Sequence, residues 1–280
     1  MGRIGDDRRL GIFVPAAVGF AACLFLSMIS TDHARAADWP SDIPVLRGSY
    51  SAPVARWEGF YVGGQVGFAS SDTDFGSGTH DMIAHMLRNT VLKNEQHPED
   101  WTTLGHQIGH ATSYGGFIGY NVQWGDVVLG VEGAYNRVSS SPTTVSDSMI
   151  RRVTLSTGTD VVAINAEESI KLDDYATFRA RAGYAFGQFL PYGYVGIAIG
   201  RFDYTRDVSL VVTGSDNGSF TESDDKNGAI AAGLDVGLGI DVALTPNLFL
   251  RGEWEFMAYA PIAGIRYMSN TARAGLGLKF

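Results

Sequence analysis

Residues 114–135 read YGGFIGYNVQWGDVVLGVEGAY, and every second residue falls into one of two sets. Tyr114, Ile118, Tyr120, Val122 and Trp124 share one face, and Gly115, Phe117, Gly119, Asn121 and Gln123 the other. After Gly125-Asp126 the alternation resumes, with Leu129 and Val131 against Gly130 and Glu132. A period of two means strands, and Gly-Asp between two such runs means a tight hairpin. The pattern recurs in eight segments: 57–69, 112–124, 127–138, 172–186, 190–204, 228–243, 247–259 and 267–280. Gly125-Asp126, Gly187-Gln188-Phe189 and Leu244-Thr245-Pro246 make short turns, whereas 70–111, 139–171, 205–227 and 260–266 are longer connections.

In water a core face of glycine, Asn, Gln and Glu would be a poor one. In lipid the assignment reverses, with apolar side chains outward and the polar set in a narrow lumen. An even number of strands of about 11 residues, with short turns at one end and long loops at the other, predicts an all-β fold. It is an eight-stranded antiparallel transmembrane β-barrel with long extracellular loops. The charges Glu132, Arg179, Arg181, Asp235, Asp241, Arg251, Glu253, Glu255 and Arg273 carry the inward parity. An eight-stranded lumen is filled by side chains, so we expect ion pairs among Glu132, Arg179, Arg181, Asp235, Arg251, Glu253, Glu255 and Arg273. A narrow ion-conducting pore is the alternative use of the same residues. A soluble antiparallel sandwich also alternates, but it leaves the loop-length pattern without a cause. Within the longer loops, Val153–Thr157 and Asp160–Ile164 are expected to extend strands beyond the membrane.

Residues 1–36 have the form of a secretory signal peptide. Arg3, Arg8 and Arg9 precede an apolar run from Leu10 to Ile29, and Ala34-Arg35-Ala36 is a small-x-small cleavage site. An uncleaved anchor helix is the competing reading, which Pro15 and Gly19 disfavour. Residues 37–56, with Pro40, Pro44 and Pro53, form a periplasmic linker, and 57–280 the barrel. Cleavage would remove four Arg, three Asp and the one cysteine, Cys23, taking the net charge from −9 to −10. An acidic chain without cysteine has no disulfide framework and is no candidate for nucleic-acid binding.

The strand-one opening Trp57-Glu58-Gly59-Phe60-Tyr61-Val62-Gly63-Gly64 and the closing Ala272-Arg273-Ala274-Gly275-Leu276-Gly277-Leu278-Lys279-Phe280 resemble the small outer-membrane surface proteins of alphaproteobacteria. These porin-family surface antigens are in turn similar, more distantly, to opacity proteins and OmpA-type barrels. The resemblance implies an outer-membrane location and contact with outer-membrane lipid and lipopolysaccharide. It also implies a non-enzymatic role in envelope integrity or interaction with a host or surface ligand. Phe280 would be the assembly signal read by the barrel-assembly machinery. Some relatives bind haemin, and no catalytic residues are shared.

The first loop holds His80, His85, His97, His106 and His110, together with six acids. Imidazole is a common metal ligand, so haemin or a divalent metal is a candidate cofactor there. Gly105 and Gly109 argue against a helix that would pair His106 with His110. A solvated, His-rich loop covering the barrel mouth is the plainer reading. Met82, Ile83, Met86, Leu87, Val91 and Leu92 recur at helical spacing and predict a short amphipathic helix. A lipid-A-modifying enzyme would need a poised Ser or His base, and no such arrangement is visible.

Overall fold

The computed structural model describes residues 55–101, 104–215 and 217–280. The signal-peptide segment and nearly all of the linker lie outside the described residues. The nine strands are β1 (Gly59–Asp74), β2 (His106–Trp124), β3 (Val127–Ser140), β4 (Thr143–Leu155), β5 (Gly158–Tyr184), β6 (Phe189–Thr213), β7 (Gly218–Ala243), β8 (Leu248–Tyr259) and β9 (Arg266–Lys279). All neighbours are antiparallel, in the order β3-β2-β1-β9-β8-β7-β6-β5-β4, and an additional pairing closes β3 onto β5. Eight strands therefore form a ring of hydrogen bonds, and β4 stands outside it. Closure leaves no unpaired edge within the ring, which is what a spanning sheet requires.

The outward set is apolar, as the alternation predicts. Val195, Ile197, Leu234, Leu238, Leu250 and Leu276 are exposed along the ring; Phe60, Trp124, Tyr184, Phe186 and Phe280 are exposed at or near strand ends, and Tyr114 and Tyr135 are exposed within β2 and β3. Inward glycines make room for rings: a Cβ on Gly119 would overlap Tyr61, and one on Gly239 would overlap Tyr192.

The connections 139–171 and 205–227, expected as loops, are mostly strand. Beyond the ring, β4 pairs the upper half of β5, from Thr143↔Ile170 to Leu155↔Gly158. β3 takes the lower half, from Arg137↔Asp174 to Val127↔Tyr184. β6 and β7 continue upward beside β5 as far as Val212↔Gly218. The four-stranded sheet so formed has inverted polarity, because its surroundings are water. Val162, Ile164, Ile170, Leu210 and Val212 point inward and are buried.

Two irregularities re-index the strands where the environment changes. The register shifts between Leu172 and Asp174 of β5, so odd positions face inward below and even positions above. A second shift, opposite Phe202/Tyr204, falls at Asn227-Gly228 of β7, where Gly228 has φ +72°. A bulge inserts one residue into one strand and reverses its facing without ending the pairing.

The apolar inner face of this sheet is covered by the first loop. The single helix expected there is two: α1 (His80–Met86) and α2 (Val91–Gln96), followed by a 3₁₀ turn at Pro98–Asp100. Thr90 caps α2, accepting from the Lys93 amide, and His97 ends it in the left-handed region with φ 48°. Phe75, Met82, Ile83, Leu87, Leu92 and Leu104 pack against Val145, Val153, Leu155, Val162, Ile164 and Leu210 in one buried cluster. The loop is a plug.

Candidate functional site

The lumen is the first candidate. From β5, Arg179 donates through Nε to Glu132 Oε1 at 2.9 Å and through Nη2 to Glu253 Oε2 at 3.1 Å. Arg181 Nη2 meets Asp241 Oδ2 at 2.7 Å. Arg251 reaches Asp241 Oδ1 at 2.9 Å and Glu132 Oε2 at 2.7 Å. Arg273 pairs with Glu255 and donates to the Tyr175 hydroxyl at 2.8 Å.

Phenols extend the network. The Tyr61 hydroxyl donates to Glu132 at 2.7 Å and that of Tyr192 to Glu253 at 2.6 Å. Guanidinium planes lie over rings, Arg181 3.7 Å from the Tyr192 centroid and Arg251 4.1 Å from that of Phe117. In the alternation Tyr61 and Tyr192 carry the inward parity, which by itself makes them lumen or rim filling. Their part as hydrogen-bond donors depends on which carboxylate each one reaches.

Asp235, expected among the ion pairs, makes none: it is fully buried and neither carboxylate oxygen has a partner. The register explains this. Asp241 stands opposite Arg251 and Glu253 opposite Arg273, whereas Asp235 has Met257 on one side and Gly196 on the other. Asp241 is instead in the network, shared by Arg181 and Arg251.

Apolar layers cover both ends of the ionic section. On the side of the short turns lie Trp57, Tyr61, Phe117, Leu190 and Phe249. On the other side Phe202 packs edge-on against Tyr259 and Tyr267, with centroids 5.0 and 5.3 Å apart, beneath the plug. Glu132, Arg179, Asp241, Arg251 and Glu255 are at most 1% exposed. These side chains are closed off from water in the described structure.

The first-loop histidines do not converge. His80 lies 3.4 Å from Asp100, His85 3.3 Å from Glu222, His97 3.4 Å from Glu99 and His106 3.5 Å from Asp72, each with its own carboxylate. His106 and His110 are in β2, where sequence reading placed a loop. Among the described residues no group of three His, Cys, Asp or Glu is placed to hold a metal ion.

A closed eight-strand ring, apolar outside and ionic inside, finds its counterpart in the family comparison. The outer membrane protein beta-barrel domain family matches residues 21–280. The chain belongs to that family. It is 27% identical over 236 residues to the 22 kDa outer membrane protein of Rhizobium leguminosarum bv. viciae, covering 81% of this chain and 80% of the relative. Among solved structures it is similar to Ail, the attachment invasion locus protein of Yersinia pestis, at 15% identity and TM-score 0.33, covering 80% of this chain and 99% of that one. Neisserial surface protein A is similar at 16% identity and TM-score 0.32, covering 79% and 97%. The protein is an outer-membrane β-barrel. The exposed apolar belt therefore faces acyl chains, the short turns face the periplasm, and the plug and four-stranded sheet stand outside the cell.

Proposed function

We propose that this barrel is closed to ions and acts from its outer surface, in envelope integrity or surface interaction, without a catalytic step. The interlocked lumen carries this reading. Four arginines, four carboxylates and three phenols are bonded to one another where a conduction path would run. Passing a hydrated ion would mean separating buried pairs, each held by contacts to more than one strand. The partners that fit are outer-leaflet lipid and lipopolysaccharide around the apolar belt. Above it, Arg137, Asp174 and Arg201 are neighbours on adjacent strands, and the Arg201 guanidinium is paired with Asp174. Phe280, 77% exposed at the chain's end, suits recognition by the barrel-assembly machinery, and the extracellular sheet suits a surface ligand.

Planar-bilayer recording tests the reading. The expected result is no steady single-channel conductance from the refolded protein. A steady conductance that changes when Glu253 or Arg179 is neutralised would establish the pore instead.

A further inference from the structure

The first loop fills the extracellular mouth over one buried acid that the network below does not use. Glu168, on the extramembrane half of β5, is fully buried, and neither of its carboxylate oxygens has a hydrogen-bond partner. Its carboxylate lies so close beneath Gly78 of the plug that a Cβ there would overlap it. In the sheet it has Val145 of β4 on one side and Arg206 of β6 on the other.

Arg206 is already engaged. Its Nη1 donates to the Gly78 carbonyl at 2.7 Å, Asp81 Oδ1 at 3.0 Å and the Ala263 carbonyl at 3.2 Å. Its Nη2 pairs with Asp224 of β7, whose carboxylate also accepts from the Tyr204 hydroxyl at 3.5 Å. One guanidinium thus ties the plug and the last extracellular loop to the sheet. The charged groups around Glu168 are Arg206 from β6, Asp81 from α1 and Asp224 from β7. His80, at the start of α1, is turned to Asp100. An ionised Glu168 would be a third carboxylate around one cation, enclosed and without a hydrogen bond, although the buried Nε of that same Arg206 also has no partner.

We propose that residues 75–101 form a pH-latched plug, seated in the mouth when Glu168 carries a proton and released when Glu168 ionises. Release would uncover an apolar funnel floored by Phe202, Tyr259 and Tyr267 while the ionic lumen stays shut. The latch therefore changes the exposed surface, and it stands or falls independently of conduction.

Burial, opposed by Arg206 and reinforced by Asp81, pushes the Glu168 carboxyl up to about 8 from its ordinary 4.5. The closed form thus has the higher pKa and binds the proton more tightly than the open form. Seating is strongest below 4.5, weakens as pH rises from 4.5 to 8, and changes no further above that. Within that window the opening equilibrium should rise about tenfold per pH unit.

The test is hydrogen exchange of α1 and α2 amides by mass spectrometry between pH 5 and 9. It uses the full refolded chain in detergent, with rates corrected for intrinsic exchange. The wild type should show opening that climbs about tenfold per unit to near pH 8 and then levels off. Glu168→Gln should be flat and protected throughout. A flat wild-type profile, protection that grows with pH, or a Glu168→Gln profile parallel to wild type would overturn the proposal. If heat-modifiable migration shows that Glu168→Gln does not fold, the wild-type profile alone decides.

Discussion

Arg251 is the side chain on which the interior ion pairs converge, bonded to Asp241 from β7 and Glu132 from β3 and stacked on Phe117. Replacing it with Ala takes one arginine away from each of two buried carboxylates, leaving Asp241 with Arg181 and Glu132 with Arg179, and breaking a buried pair costs about 3–5 kcal/mol. Urea unfolding of the refolded barrel in detergent should show that loss. Arg251→Lys should recover only part of it, because an ammonium cannot reproduce the fork that spans both acids. On the lipid side, Val195→Arg puts a charge near the middle of an outward strand and should destabilise by about 2–4 kcal/mol when measured in bilayers. That the charges point inward was legible from alternation alone. Which of them meet was not, since pairing depends on register: Asp235 has the same parity as Asp241 but lands opposite Met257.

β4 is the element the spacing of apolar residues concealed. Its middle, Ser146-Asp147-Ser148, is polar on both faces, so period-two alternation breaks there. Of the expected extensions, Val153–Leu155 and Asp160–Ile164 are strand on either side of its hairpin with β5, and Ser156-Thr157 form the turn between them. The facing of β5 reverses at Asp173, and no composition signal marks a one-residue bulge. β5 exchanges partners at that level, from β3 below to β4 above, so β4 is dispensable for ring closure. Substituting a short Gly-Ser linker for residues 143–157 should leave heat-modifiable gel migration intact. The same change should render α1 and α2 sensitive to protease, because Val145, Val153 and Leu155 form part of the plug's seat.

Across the whole protein one chain meets three surroundings: acyl chains outside the ring, a dry ionic interior within it, and water around the sheet above. The amino-acid pattern by itself determined the eight barrel strands, their direction of facing, the apolar belt and the inward charges. Each of these follows from local alternation and from the need to pair every backbone group in lipid. Tertiary structure alone decided the partner of each arginine, the isolation of Asp235, the placing of His80, His85 and His106 beside separate carboxylates, and the burial of Glu168 beneath Gly78. Those outcomes rest on contacts between residues ten or more positions apart, most of them on different strands. Their geometry is set by register, bulges and the closure of the ring, and none of these is written in a single segment.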